Sequence, residues 1–266
     1  MRDWDDAYAN MAHIEGSAEL PAIWAKRAAA YRDAHTVDTD IAYGDAPREK
    51  FDIVWPEGTP KGLAVFVHGG YWMRCDRSDW TDLAEGARAK GWAVALPSYP
   101  LAPEARLTQM TAQVGAAITA AAARVKGPIR IAGHSAGGHL VSRMVSADSP
   151  LPPEVRARLE HTLSISGLHD LRPLMWTEMN KVLHLDEAEA ISESAGLKRP
   201  LSEAKVTAWV GGDERPEFLR QAQLLGMMWQ GLEAEVDVVV DSGHYHFSVI
   251  EALADPESPI TRAFVG

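Results

Sequence analysis

One serine lies between a short apolar strand and a helical pattern, with no loop on either side. The stretch reads Pro-Ile-Arg-Ile-Ala-Gly-His-Ser-Ala-Gly-Gly-His-Leu-Val over residues 128–141. Ser135 therefore occupies a sharp strand-to-helix turn, where a strained backbone lifts the hydroxyl clear of the sheet. The small residues Gly133, Ala136 and Gly137 let neighbouring chain pass close by. Because a helix N-terminus presents amide donors that favour negative charge, the pattern predicts a nucleophilic serine.

Continuous apolar runs recur along the chain, most of them separated by helical stretches. Such runs are typical of parallel strands that are buried on both faces, and their alternation with helices predicts a doubly wound, mostly parallel α/β sheet. Two alternating segments joined by turn residues, 37–43 and 51–55, predict an antiparallel pair at the N-terminal edge of that sheet. The apolar runs are 63–67, 92–96, 129–132, 162–166, 206–210 and 236–240.

No polar linker divides the 266 residues, so the sequence predicts a single domain over residues 1–266. Residues 1–35 are predicted to form an N-terminal helical extension, with a helix over 17–34. The alanine-rich segment 111–124 predicts one crossover helix. Residues 170–204 interrupt the alternation of strands and helices. They predict either a small cap or one ordinary crossover helix followed by a loop.

Composition argues against several classes of protein and indicates the compartment in which this one is expected. The single cysteine, Cys75, excludes an internal disulfide and a thiolate zinc cluster, and it fits a reducing cytoplasm. Three acids among the first six residues argue against a signal peptide, and no stretch reaches the ~18 apolar residues of a membrane span. A net charge of -11 disfavours binding to nucleic acid or anionic lipid. No histidine pair has the spacing and partner of a metal site, so we predict neither metal nor cofactor.

A glycine pair follows the predicted strand 63–67, where a loop that completes an oxyanion hole is expected. The loop reads His-Gly-Gly-Tyr-Trp over residues 68–72. Backbone amides can approach a substrate oxygen closely where glycines lie, so the predicted donors are the amides of Gly69, Gly70 and Ala136. His68 precedes the serine in the chain and is predicted to brace the loop rather than to act as the base.

Tyr71 and Trp72, which end this loop, are candidate substrate-binding residues. Both side chains could form the wall of an aromatic pocket. The alternative is that they pack in the hydrophobic interior beside the sheet.

The acid and the histidine that would activate the serine are expected on the loops after the last two strands. Asp213 directly follows a glycine pair and is preferred as the acid, with Glu214 and then Asp241 as alternatives. His244 and His246 both follow the last strand, and their spacing does not separate them. A helix predicted to begin near residue 247 would anchor His246, which we therefore prefer as the base.

Together these motifs resemble the α/β-hydrolases of the hormone-sensitive-lipase-like branch, and within that branch the arylformamidase (kynurenine formamidase) group. The chain departs from the lipase-like esterases at Tyr71 and Trp72, where those proteins keep a third glycine. Carried over by position, the resemblance implies that Ser135, Asp213 and His246 form a catalytic triad. It covers roughly residues 40–255 and lies in the stretches 68–72, 98–103, 133–140, 166–171, 212–218 and 246–248.

The resemblance implies a serine hydrolase that cleaves an aryl formamide, such as N-formylkynurenine, to the aryl amine and formate through a formyl-serine intermediate. One alternative keeps the same site but acts as a carboxylesterase on short-chain acyl esters. A second, less favoured alternative is a non-catalytic binding protein with the same fold. In the two enzymatic readings the partner is a small-molecule formamide or ester, and the oligomeric state is left open.

Overall fold

The computed structural model describes residues 2–202, 204–232 and 234–266. Met1 of the predicted extension and Glu203 of the predicted 170–204 excursion therefore lie outside the described residues. Within the described ranges the strands are β1 (Val37–Ala42), β2 (Lys50–Val54), β3 (Leu63–Val67), β4 (Ala93–Pro97), β5 (Ile129–His134), β6 (Leu159–Ile165), β7 (Lys205–Gly211) and β8 (Glu235–Asp241).

These strands form one sheet in the order β1-β2-β4-β3-β5-β6-β7-β8. Strands β3 to β8 are parallel, whereas β2 is antiparallel to both of its neighbours, β1 and β4. Every residue of β3 and β4 is buried, which explains why their sequences are continuous apolar runs rather than alternating ones. The predicted fold class, a doubly wound and mostly parallel sheet with an antiparallel N-terminal edge, is confirmed.

Helices cover both faces of the sheet. One hydrophobic cluster packs the sheet against α4, α5 and α9, and a second cluster packs it against α2, α3 and α10. No described helix is both long and apolar enough to cross a membrane. The helices are α1 (Trp4–Tyr8), α2 (Leu20–Ala34), α3 (Glu85–Ala89), α4 (Leu107–Arg124), α5 (Ala136–Met144), α6 (Pro153–Arg156), α7 (Asn180–Leu183), α8 (Glu187–Ser192), α9 (Pro216–Trp229) and α10 (Pro259–Val265).

Two segments differ from an ordinary strand-helix alternation. In the described part of 170–204, the short helices α7 and α8 lie between 3-10 turns at Arg172–Trp176 and Ala195–Leu197, so no single crossover helix forms there. The prediction that a helix begins near residue 247 is wrong. Residues 246–250 form turns, and a 3-10 helix follows at Glu251–Ala254.

Candidate active site

Ser135 occupies the turn between β5 and α5. Its backbone has φ 57° and ψ -116°, a conformation that is strained for a residue with a side chain. The turn is tight because glycines flank it. A Cβ atom on Gly133 would lie 2.2 Å from the carbonyl oxygen of Gly137, and a Cβ on Gly137 would lie 2.0 Å from that of Val67. The predicted nucleophile elbow is therefore present, and Ser135 lies on the wall of a cavity.

This cavity of about 350 Å³ opens at the carboxyl end of the parallel strands. Its wall is mainly apolar, and it brings together residues that are far apart in the chain. Both Ser135 and His246 contribute to it, as do both glycines of the 68–72 loop. The aromatic residues on the wall are Tyr8, Trp24, Tyr71, Trp80 and Phe247.

The acid that faces His246 is Glu214, which corrects the preference for Asp213. The Nδ1 atom of His246 donates to Oε2 of Glu214 at 2.6 Å, and both side chains are buried. Asp213 is exposed, although its backbone amide donates to the carbonyl of His244 at 3.0 Å. The turn after β7 therefore directs the side chain of Asp213 to solvent and that of the next residue inward.

His246 is held at its backbone and at its ring. His134 donates from Nε2 to the carbonyl oxygen of His246 at 2.8 Å, and the Phe218 ring lies 4.4 Å from the His246 ring, centroid to centroid. Burial, with His246 nearby, holds the pKa of His134 well below its usual range, so His134 is neutral. His244 lies outside this arrangement, because its Nδ1 contacts the Ser248 hydroxyl. The structure thus places His246 rather than His244 on the buried carboxylate.

Ser166 is a residue of the site that sequence reasoning did not single out. Its hydroxyl donates to Oε1 of Glu214 at 2.5 Å, and the amide of Gly211 donates to the same oxygen at 2.9 Å. These two bonds fix the carboxylate while its other oxygen accepts from His246. One signal was available, since Ser166 is a hydroxyl residue directly after β6, at the edge of the sheet where the site forms.

The glycine loop lies beside the nucleophile. A Cβ atom on Gly69 would lie 3.0 Å from the Cβ of Ser135. Among the described residues, no hydrogen-bond acceptor pairs with the amides of Gly69 or Gly70, and Ala136 is the first residue of α5, where amides lack a partner within the helix. These three amides are therefore positioned to bind an oxygen that gains negative charge.

His68 lies behind the loop rather than on the cavity wall. Its Nδ1 donates to the carbonyl of Gly69 at 2.7 Å, and its ring stacks on Tyr99 with 4.7 Å between centroids. Tyr99 in turn donates from its hydroxyl to the carbonyl of His68 at 3.0 Å. Burial lowers the pKa of His68 to about 4, so the imidazole is neutral and braces the loop.

The two aromatic residues of the loop have different positions. Tyr71 lies on the cavity wall, as the sequence suggested. Trp72 is fully buried and does not line the cavity, which corrects its assignment as a substrate-binding residue. Its backbone φ of 58° turns the indole inward, where Nε1 donates to Nδ1 of His139 at 3.2 Å. The packing alternative is therefore correct for Trp72.

Much of the cavity wall comes from residues 2–15, which we call the N-terminal strap. Tyr8, Asn10 and Met11 of the strap line the cavity. The hydroxyl of Tyr71 donates to the carbonyl of Tyr8 at 2.6 Å, and the Asn10 amide donates to that hydroxyl at 3.3 Å. The strap therefore contacts the glycine loop directly. The sequence predicted helical structure in this region but no part in the site.

Ion pairs and stacking hold the strap against α9 and the 170–204 segment. Arg2 pairs with the buried Glu217 at 3.1 Å, and Asp6 pairs with Arg215. The rings of Trp4 and Trp176 stack with 6.3 Å between centroids. These contacts hold the strap in place beside the cavity.

Two other chemistries would need a reactive thiol or a cluster of metal ligands at the site. Cys75 lies on the cavity wall, but burial raises the pKa of its thiol to about 11, so it is a neutral thiol and a poor nucleophile at neutral pH. In the part of the chain that the structure describes, no group of three or more His, Cys, Asp or Glu residues is arranged to hold a metal ion. Ser135 is thus the nucleophile that the arrangement favours.

Comparison with known proteins agrees with the geometry. The model of a family described as having the alpha/beta hydrolase fold matches residues 64–246. Kynurenine formamidase of Danio rerio is 28% identical over 235 residues, which cover 84% of this chain and 79% of that protein. Kynurenine formamidase of Drosophila melanogaster is 26% identical, covering 85% and 80%. These relatives confirm the resemblance inferred from the motifs.

Solved structures of other proteins share the fold of this chain. A provisionally named thioesterase from Silicibacter sp. tm1040 is 49% identical, covers 100% of both chains and superposes with a TM-score of 0.95. Esterase B from Lactobacillus rhamnosis shares the fold at 17% identity and a TM-score of 0.66, with 97% of this chain and 92% of that chain covered. By family match, relatives and architecture, this chain is a hydrolase and belongs to the alpha/beta hydrolase fold family.

Proposed function

We propose that the protein is a serine hydrolase that cleaves an aryl formamide such as N-formylkynurenine, releasing the aryl amine and formate. The observation that carries the proposal is that Ser135, His246 and the unpaired amides of the glycine loop meet at one cavity, with Glu214 bonded to His246. A serine needs such a base, and the base needs an acid to orient it. The kynurenine formamidases among the relatives support the choice of substrate class.

In the first half of the reaction, the Ser135 hydroxyl oxygen attacks the formyl carbon while Nε2 of His246 takes its proton. The amides of Gly69, Gly70 and Ala136 bind the oxygen that becomes negative. Glu214 accepts from Nδ1, which fixes the imidazole tautomer and stabilises the imidazolium. His246 then returns the proton to the aryl nitrogen as the carbon–nitrogen bond breaks, so the amine leaves and a formyl-serine remains.

Water completes the cycle by the same route. His246 takes a proton from the water molecule, whose oxygen attacks the formyl carbon of the acylated Ser135. Collapse of the second tetrahedral intermediate breaks the serine ester bond, and His246 returns the proton to the serine oxygen. Formate leaves and the resting enzyme is restored.

Formate release from N-formylkynurenine by the purified protein tests this proposal. We expect saturable release, together with covalent labelling of Ser135 by a fluorophosphonate probe that is located by peptide mass spectrometry. A properly folded protein that releases no formate and takes no label would refute a serine mechanism. Label on Ser135 without formate release would retain the mechanism and reject the substrate.

The second candidate function is a carboxylesterase that acts on short-chain acyl esters. It is favoured by the mainly apolar cavity wall and by the 49% identity to a protein provisionally named a thioesterase, since the same geometry attacks any acyl carbonyl that reaches Ser135. Parallel measurement of kcat/KM for N-formylkynurenine and p-nitrophenyl acetate separates the two functions. A formamidase should strongly prefer the first substrate, and an esterase the second.

A further inference from the structure

Arg74 provides a positive charge at the mouth of the cavity. It follows the glycine loop, and among the described residues it is the only lysine or arginine on the cavity wall. Its side chain is exposed, and its Cγ would lie 3.1 Å from a Cβ on Gly70, so its stem begins beside the predicted oxyanion hole. The guanidinium group therefore lies where it can reach a substrate that is bound in the cavity.

Two other arginines that contact this region form ion pairs within the protein. Arg77 is bound to the buried Asp52 at 2.8 Å, and Arg48 pairs with Asp76 at 3.0 Å, so both of these arginines hold the loop in place. Across residues 2–202, 204–232 and 234–266, by contrast, neither an ion pair nor a hydrogen bond engages the Arg74 side chain. Its charge is free to meet a ligand.

A free guanidinium at this position favours a ligand with a carboxylate. Arginine binds carboxylates through paired, charge-assisted hydrogen bonds. The chain carries a net charge of -11, so the carboxylate of a substrate would be repelled by the protein as a whole unless a local cation offset that field. N-formylkynurenine is a zwitterion, and its carboxylate lies beside an ammonium group at the end of its side chain, away from the formamide that is cleaved.

We infer that Arg74 binds a substrate carboxylate and so makes the enzyme selective for aryl formamides whose side chain carries a carboxylate. This inference rests on the proposed function for the identity of the substrate. Because Arg74 is exposed, its attraction for the ligand is screened by salt. The selectivity should therefore decline as ionic strength increases.

The test compares two ligands that differ only in charge. 4-(2-Formamidophenyl)-4-oxobutanoic acid has the carboxylate, and its primary carboxamide has the same shape without the charge. Dissociation constants are measured by calorimetry on Ser135→Ala protein, which should not cleave either compound. We expect the acid to bind roughly tenfold more tightly than the amide, and Arg74→Gln in the same background to abolish this difference.

Matched variants show that the effect belongs to this arginine. Arg74→Lys should keep part of the preference for the acid. Arg262→Gln, which removes the same charge from α10 far from the cavity lining, should leave the preference intact. Equal binding of acid and amide to the parent protein, a preference that survives Arg74→Gln, or no measurable binding of either compound would overturn the inference.

The outcome is separable from that of the proposed function. Formate release is measured on the protein with Ser135 present, whereas the ratio of dissociation constants is measured without catalysis. Binding selectivity without formate release would keep Arg74 as a carboxylate-binding group and reject the formamidase. Formate release without this selectivity would keep the formamidase and reject Arg74 as a carboxylate-binding group.

Discussion

The two sides of the cavity are held in place by different kinds of interaction. At the edge of the sheet, the buried carboxylate of Glu214 accepts from His246, Ser166 and the Gly211 amide. On the opposite side, the buried Tyr8 hydroxyl of the strap donates to Glu217, but the outer part of the strap is held by ion pairs whose side chains are 44% exposed at Arg2 and 50% exposed at Asp6. Buried hydrogen bonds to a charge are strong, whereas exposed ion pairs contribute little. The proposed catalytic groups are thus fixed by the fold, and the outer part of the wall facing them is held more weakly.

The largest effect should follow from removing the nucleophile. In Ser135→Ala, we expect kcat/KM for formate release to fall by about 10⁴-fold to 10⁶-fold, because base and acid have nothing to activate. The thermal unfolding midpoint should stay within about 3 °C of the parent protein, since one hydroxyl is lost and the packing is kept. A variant that keeps most of its activity would mean that the sheet edge is not where the chemistry occurs.

Glu214→Gln should give the next largest effect, and Asp213→Asn is its matched control one residue away. The glutamine can no longer hold the tautomer of His246 or stabilise the imidazolium, so we expect a loss in kcat of about 10⁴-fold. Asp213 is exposed, and its amide rather than its carboxylate holds the turn, so Asp213→Asn should stay within about threefold of the parent. Circular dichroism confirms that both variants fold. The opposite ranking would restore Asp213 as the acid.

The choice between these two carboxylates shows how far the sequence could be used. Chain order and strand ends were sufficient to predict the sheet, and they pointed to Ser135, the glycine loop and His246, which the structure brings to one cavity. They could not separate neighbouring acids, because which side chain turns inward depends on the turn in which Asp213 donates to the carbonyl of His244. The reason given for His246 was also wrong, because His134 holds its backbone, Phe218 packs against its ring, and no helix begins at residue 247.

The position of the strap at the cavity could not be predicted from the sequence. It consists of the five-residue helix α1 followed by a short 3-10 turn at Met11–His13, so it has no extended hydrophobic periodicity to read. Its place on the cavity is decided by contacts between residues more than sixty positions apart, such as that of Tyr8 with Tyr71. The prediction that Trp72 binds substrate was wrong for a related reason, because a backbone with positive φ turns its ring into the core.

Tyr71→Phe tests the contact between the two sides, and its expected effect is intermediate. The hydroxyl that donates to Tyr8 and accepts from Asn10 is removed, which leaves a carbonyl and an amide without their partner. A lost hydrogen bond of this kind corresponds to roughly tenfold, so we expect KM to rise by about tenfold while kcat changes by less than about threefold. Michaelis–Menten analysis separates the two parameters. A fall confined to kcat would instead place Tyr71 in the chemical step.

The smallest effect should come from the exposed end of the strap. Asp6 accepts from His13 at 2.7 Å and pairs with Arg215, and its hydrogen bond with His13 contributes most to lowering the pKa of its carboxyl group. Because these side chains are in solvent, Asp6→Asn should raise KM by less than about threefold, and added salt should remove the difference.

The measurement is KM at low and at high ionic strength, with Glu257→Gln as the control. Glu257 forms a more exposed ion pair, with Arg262, outside the cavity lining, so its loss should leave KM unchanged at either salt concentration. A rise in KM of more than tenfold in Asp6→Asn, persisting at high salt, would mean that the strap is as firmly fixed as the sheet edge. The contrast between the two sides would then fail, because substrate selection would depend on the same rigid frame as the chemistry.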